Sequence, residues 1–275
     1  MKKTLCMLLI LLITVLTGCS AVAPSSEIEV MDFNKHLTLK KPNQPINQAP
    51  AVLFLGNSFI FVNDMPAMFE QLSNSGGFSP EVYELSDGGY KLENFADESD
   101  ELGFEAYQAL KEYEWDYVVL QEQSRLPTLM AEEMMYPAAR TLDALIKEAN
   151  AQTTFLMTWA YKEGDDFDLL GKKYKSTRDQ MQTQLADSYI KISDELDALL
   201  APAGIAFIKC ANKYPDIELW DEDLQHPSQA GTYLSACVLY ATLYDQSPVG
   251  LKFTAELDAQ TAASLQQVAQ DVVLA

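Results

Sequence analysis

Histidine is the scarcest side chain with useful acid–base chemistry in this chain: the 275 residues hold two, His36 and His226. Cysteine is nearly as rare. Cys6 and Cys19 lie near the amino terminus, which leaves Cys210 and Cys237. A single pair is not a disulfide framework, and neither cysteine has neighbours at metal-ligand spacing, so no metal and no cofactor are expected. Buried thiols are the default for the pair, although an exported location would permit a bridge. Basic residues are short as well, 19 against 40 acidic ones, for a formal charge of −21. That excess repels nucleic-acid phosphates and anionic headgroups, so a nucleic-acid partner is excluded. The acid is scattered apart from a run at Asp97 to Glu101, which reads as a solvated face. No internal repeat and no low-complexity domain is present.

What is there begins with a leader. Met1-Lys2-Lys3 is basic, Thr4 to Leu16 is apolar, and Leu16-Thr17-Gly18-Cys19 closes the run. The run is too short and too near the end to read first as a spanning helix. The small-residue site ending on cysteine resembles the lipobox of bacterial lipoproteins. The resemblance implies cleavage before Cys19 and a lipid on its thiol, against an ordinary secretory signal with an incidental cysteine. Cleavage removes two lysines and no acid, taking the formal charge from −21 to −23. Membrane attachment is then expected from the amino-terminal lipid alone. The chain is expected outside the cytoplasm, lipid-anchored to the bacterial cell envelope.

The expected organisation is a signal peptide over residues 1–18, a tether over 19–49 and one domain over 50–275. The tether is polar and carries Pro24, Pro42 and Pro45, with a short strand expected near His36 to Leu39. Strands are predicted at 51–55, 116–121, 153–159 and 205–208, where apolar or β-branched runs are short, and at 81–85, where Val82 and Leu85 alternate with polar residues. Helices are predicted from Asp64 to Gly76, over 92–113, from Pro127 to about Asn150, along the Met181–Leu199 periodicity, and at 229–244 and 255–273. Strands alternating with helices predict an α/β fold with a parallel sheet covered on both faces.

The first predicted strand runs straight into Gly56-Asn57-Ser58. All three residue types favour turns. A serine leaving the first parallel strand is also well placed for a nucleophile, because ligand chemistry in open α/β sheets gathers at the carboxyl ends of strands. If an imidazole activates that serine, His226 is the candidate by elimination, since His36 falls in the tether. Asp223 stands three residues before His226, close enough for one turn to bring its carboxylate to the ring. Read alone, Asp223 and His226 are equally loop residues beside a helix cap. Acyl transfer also needs donors for an oxyanion. Gly88-Gly89 follows the second strand and Gln121 ends the third.

Taken in order, these blocks resemble the SGNH/GDSL hydrolases. Gly56-Asn57-Ser58-Phe59 matches the G-D-S-L block with asparagine for aspartate. Gly88-Gly89-Tyr90-Lys91-Leu92 matches the glycine block, and Asp223-Leu224-Gln225-His226-Pro227-Ser228 the final one. The third block departs from G-x-N-D: Val119-Leu120-Gln121-Glu122-Gln123-Ser124 resembles the glutamine-bearing blocks of some carbohydrate esterase branches. The resemblance implies a three-layer α/β/α sandwich like flavodoxin with a five-stranded parallel sheet, and a serine esterase without metal. Ser58 would be the nucleophile, His226 the general base and Asp223 its partner. Gly89 and Gln121 would complete the oxyanion hole with the Ser58 N–H, Gln123 being the runner-up to Gln121. The substrate would be a small-molecule or carbohydrate ester, an acetyl ester of a glycan being the case suggested by the third block and the exported location. Two other readings stay open: a glycan-binding lipoprotein that keeps the fold without turnover, and an O-acyltransferase using the same residues.

Overall fold

The computed structural model describes residues 28–169 and 171–274. The leader, with Cys19 and the proposed cleavage site, lies outside the described residues.

Five strands form one wholly parallel sheet: β1 (Ala51–Gly56), β2 (Glu81–Ser86), β3 (Tyr117–Leu120), β4 (Gln152–Leu156) and, further along the chain, β7 (Leu199–Ala201), in the order β2-β1-β3-β4-β7. The composition of each strand follows its place. β1 and β3 are apolar throughout and buried, as central strands covered on both faces must be. β2 alternates and leaves Tyr83 exposed, as an edge strand does. Helices α2 (Met65–Ser75), α8 (Ala203–Lys213), α9 (Gln229–Tyr244) and α10 (Ala259–Val273) pack together as one layer. α3 (Leu92–Phe95), α4 (Glu101–Glu112) and α6 (Tyr136–Glu148) form the other, and α7 (Arg178–Glu195) covers β4 and β7. α9 is buried from Ala230 to Tyr244, so it has no polar face to reveal its orientation from sequence. This is the three-layer α/β/α sandwich expected. The chain leaves β1 towards β2 and returns past β1 to β3, so the crevice between β1 and β3 is the switch point of the topology, where ligands bind in open α/β sheets.

Several expected elements differ. The helix read over 92–113 is two: Asp100 caps α4, its Oδ1 accepting from Leu102 N–H (3.1 Å) and Gly103 N–H (3.4 Å). The acidic run therefore contains a helix cap as well as solvated charge. Gly103 is required there, since a Cβ would stand 2.0 Å from the Asp97 carbonyl oxygen. The helix read over 127–150 arrives in three pieces: α5 (Leu126–Leu129), a π-helical turn (Ala131–Met135) and α6. The long amphipathic helix stops at Glu195, and Asp197 takes a left-handed backbone (φ 50°) that turns the chain back. Leu199 then belongs to β7 rather than to the helix, and Ile205 to Ile208, read as the fifth strand, lies inside α8. A four-residue apolar run fits a buried strand and a buried helix equally well, and here Pro202 opens a helix. The charged stretch after β4 forms a two-stranded antiparallel hairpin, β5 (Asp165–Leu169) with β6 (Lys172–Ser176). No strand forms at His36 to Leu39.

Residues 28–50 contain no regular element but lie against the domain. Phe33 is buried, Met31, Leu37, Leu39 and Ile46 pack on the core, and Met31 N–H donates to Thr183 Oγ1 (2.9 Å). Cys210 and Cys237 are separate buried thiols. Burial pushes the Cys210 thiol up to about 12.

Asp100→Ala removes the cap of α4 and is expected to lower stability by about 1 kcal/mol, read as a lower urea midpoint at unchanged slope. An unaltered midpoint would show that α4 does not depend on that carboxylate.

Candidate active site

Ser58 is the first residue of α1 (Ser58–Phe61), two residues past the end of β1. The turn that holds it is built on Asn57. Asn57 Oδ1 accepts from Phe59 N–H (3.1 Å), capping α1. Asn57 Nδ2 donates to the Tyr90 carbonyl (2.7 Å), tying the turn to the loop after β2. Asn57 N–H donates to Gln121 Oε1 (2.9 Å), tying it to the end of β3. A side chain on Gly56 would stand 2.6 Å from that same Gln121 oxygen and closer still to Ile60, so only glycine lets the three loops meet.

His226 reaches Ser58 from the far end of the chain. Its Nε2 lies 2.8 Å from Ser58 Oγ, and its Nδ1 makes a short contact with Asp223 Oδ2. The other Asp223 oxygen accepts from the N–H groups of Gln225 and His226, both at 2.9 Å. This loop is gripped on all sides. Asn63 Nδ2 donates to the Pro227 carbonyl (2.9 Å), Trp159 Nε1 donates to the Gln225 carbonyl (3.1 Å), and Asp221 N–H donates to the His226 carbonyl (2.8 Å). Leu224 takes a left-handed backbone (φ 63°), which folds the Asp223 carboxylate back toward the ring. Behind it, Phe59, Trp159 and Phe207 form a continuous stack, with ring centroids 5.0 and 4.3 Å apart, and Phe59 lies 5.4 Å from the imidazole. Trp159 is thus wholly buried and supports the histidine loop from inside.

Partial burial pushes the Asp223 carboxyl up, but the His226 ring and the two backbone N–H groups outweigh it and hold the group below its usual value. The ring is about one-third exposed and the Asp223 carboxylate about half exposed, so the relay opens directly onto solvent.

The two expected oxyanion residues are placed differently. Gly89 sits in an exposed turn with φ 73°. That is a conformation glycine adopts freely, and no atom lies within 4 Å of where its Cβ would be. Gln121 is fully buried, not at the rim. Its carbonyl oxygen must face Asn57 N–H, and its amide nitrogen donates to the Glu122 carbonyl, so both ends are engaged beneath the turn. The structure therefore makes Gln121 the support of the serine turn rather than an open donor. Gln123 is half-buried. Its Oε1 accepts from Arg125 and Leu126 N–H, while its Nε2 has one long contact of 3.3 Å, to Ser124 Oγ.

Two features escaped the sequence. Glu122 is completely buried, with Oε1 accepting from Leu92 N–H (3.2 Å) and Gln123 N–H (2.7 Å). A carboxylate at the end of an all-apolar strand is the signal that could have marked it. The second feature is a brace on the third loop. Arg125 forms a two-pronged pair with Asp165 of the hairpin (2.7 and 2.9 Å) and lies over the Tyr161 and Phe167 rings, while Ser124 Oγ and Tyr161 OH share a 2.6 Å hydrogen bond.

The fold and the relay define a class: an α/β protein whose sheet edge brings a serine, a histidine and a carboxylate into one hydrogen-bonded line. A Slackia heliotrinireducens protein described as an SGNH hydrolase is 30% identical over 71% of this chain and 99% of its own length, with a TM-score of 0.61. The chain belongs to the SGNH hydrolases. Two more distant structures share the fold: a DUF4886 family protein from Bacteroides uniformis (19% identity, 80% of this chain and 93% of that one, TM-score 0.63) and a gut microbial diltiazem-metabolizing enzyme (12%, 74% and 48%, TM-score 0.52). No protein-family model and no curated protein matches the chain.

Gln121→Leu would leave a buried N–H and a buried carbonyl unpaired, at about 1–3 kcal/mol each, so a stability loss of about 2–6 kcal/mol is expected by chemical denaturation. A loss of activity at unchanged stability would return Gln121 to the role of a direct donor. Asp223 supplies a pH test. Its folded-state acidity is strengthened, so its contribution to stability is complete above the ordinary carboxylate value, about 4, and is lost as pH falls through the lower folded value. The difference in thermal midpoint between wild type and Asp223→Asn should therefore be constant near neutrality and close in acid. A difference that does not change with pH would contradict the pairing.

Proposed function

We propose that this protein is a serine esterase in which Ser58, His226 and Asp223 act as a triad. The observation that carries the reading is the hydrogen-bonded line itself: Ser58 Oγ 2.8 Å from His226 Nε2, with His226 Nδ1 on Asp223. Ser58 Oγ attacks the ester carbonyl while His226 Nε2 takes its proton. Asp223 accepts from the Nδ1 proton, fixing the tautomer and stabilising the imidazolium. The negative charge on the former carbonyl oxygen is met by backbone donors. Ser58 N–H opens α1 and has no acceptor within the helix; Gly89 N–H stands on the facing loop. The half-buried Gln123 amide takes the side-chain role first given to Gln121. Collapse of the tetrahedral adduct breaks the ester bond, and His226 returns its proton to the leaving alcohol. Water, deprotonated by the same ring, then releases the acid and restores Ser58.

A short acyl group such as acetyl suits a nucleophile on an open, solvent-facing edge, and the glutamine-bearing third block favours a carbohydrate as the alcohol. The lipobox-like leader supports an exported, lipid-anchored protein. Among the described residues no helix is long and apolar enough to cross a membrane.

The test is hydrolysis of an aryl acetate by the soluble form, residues 20–275, beside Ser58→Ala. The variant is expected to lose at least about a thousandfold in kcat/KM, with a burst of aryl alcohol in the wild type only. Equal rates in the two proteins would end the serine mechanism. Turnover that appears only when an acceptor alcohol is supplied would reassign the same triad to acyl transfer.

A further inference from the structure

Glu122 is unexplained by packing alone. It lies two residues past the end of β3, with none of its surface exposed. Its Oε1 takes two backbone N–H groups, and its Oε2 is buried with no hydrogen-bond partner. Buried polar atoms without partners are rare enough in folded proteins that each calls for a reason. A glutamine would accept the same two bonds through its carbonyl without burying a charge, so the two bonds do not by themselves account for a carboxyl group.

The two N–H groups give the reason. Leu92 stands three residues after Gly89, at the start of α3. Gln123 opens the loop after β3. The loop Gly88–Leu92 is thus pinned twice: at Tyr90 by the neutral Asn57 amide, and at Leu92 by Glu122. We propose that Glu122 is a positioning residue for the acyl-transfer site: its ionised carboxylate clamps the Gly89 loop and the Gln123 loop together, aligning the oxyanion donors. The proposal rests on the esterase reading above, in which both loops supply donors. Hydrogen bonds to an ionised acceptor are about twice as strong as neutral ones, so the clamp is firm when Glu122 is charged and slack when it is protonated.

The surroundings set where that change falls. Burial is the largest influence and raises the carboxyl to about 7. The Gln123 and Leu92 N–H groups oppose it, as does the charge of Lys91, while Glu93 on α3 adds to it. From α7, Tyr189 accepts the Glu122 N–H through its hydroxyl (3.2 Å), and burial keeps that phenol neutral. Because the carboxyl is raised, it is protonated in acid and ionised above neutrality. The clamp therefore tightens as pH rises through about 7.

Glu122→Gln keeps the size and the accepting oxygen but stays neutral at every pH. The measurement is kcat and KM for an aryl acetate, wild type and variant, from about pH 5.5 to about pH 8.5. The wild-type to variant ratio cancels any pH dependence common to both proteins. The expected ratio of kcat is about tenfold at the alkaline end, falling towards one at the acid end, with KM the same in both proteins. A second reading needs neither turnover nor a variant. The backbone amide proton resonances of Leu92 and Gln123 should shift together with a midpoint near 7. A kcat ratio that does not vary with pH, an effect confined to KM, or amides that do not titrate would overturn the proposal. Undiminished activity in Ser58→Ala would instead remove the esterase reading, and the amide titration would still report on the clamp.

Discussion

The site depends on one hydrogen bond, Asn57 N–H to Gln121 Oε1. The strands it joins, β1 and β3, are neighbours in the sheet, but their ends must diverge to leave room for a substrate. At that point ladder hydrogen bonding stops, and a backbone N–H leaving β1 would be stranded in the interior, where an unpaired donor costs about 1–3 kcal/mol. Gln121 meets it from the neighbouring strand. Once Asn57 N–H is held, its side chain is free to face both ways, accepting from Phe59 and donating to Tyr90. One buried amide thereby fixes the direction in which α1 starts, and with it the Ser58 hydroxyl. Asparagine is suited to this in a way aspartate is not, because a carboxylate cannot donate to the Tyr90 carbonyl.

The histidine side of the site solves a different problem. His226 comes from a loop with no strand beneath it, so its position cannot be inherited from the sheet. It is held instead by backbone carbonyls taken up by side chains from elsewhere: Gln225 by Trp159, Pro227 by Asn63. Trp159 follows β4 and Asn63 follows α1, so the loop is referenced to the sheet and to the serine helix at once. The apolar stack from Phe59 through Trp159 to Phe207 fills the space behind the ring and leaves only the solvent side open. A half-exposed Asp223 stays ionised there because water and two backbone N–H groups share the charge.

How much of this was legible in the sequence follows from which interactions are local. The strands β1, β3 and β4 announce themselves as short apolar or β-branched runs and β2 by alternation, and the Asp223–His226 pairing lies within one turn. Ser58 could be ranked above a turn residue because the chain has one usable histidine, that histidine follows Asp223 before a late helix, and donor candidates follow the next two strands. The third block was harder. Gln121, Glu122 and Gln123 are adjacent and similar, and which is buried under the serine turn and which spans two loops depends on partners 30 to 64 residues away. The β7 error has a similar cause. Leu199 continues the spacing of α7 because helix and strand both direct it into the same core, and the break rests on a left-handed Asp197 that sequence periodicity does not register.

A buried carboxylate beside the nucleophile has a consequence for the whole edge. The loops after β1, β2 and β3 are joined by neutral amides at Asn57 and Gln121 and by an acid at Glu122. The neutral links hold at any pH and set where the loops are. The acidic link adds strength only when charged, and it acts on the loop carrying Gly89 and on the loop carrying Gln123, not on the serine turn. The serine turn shares the Gly89 loop with that acidic link, through Asn57 Nδ2 on the Tyr90 carbonyl, while the histidine loop is held separately by Trp159 and Asn63. Ser58 and His226 can stay within hydrogen-bond distance while the alignment of the donors opposite them varies. In the proposed mechanism the position of the nucleophile and the stabilisation of charge on its adduct then rest on different side chains of one sheet edge.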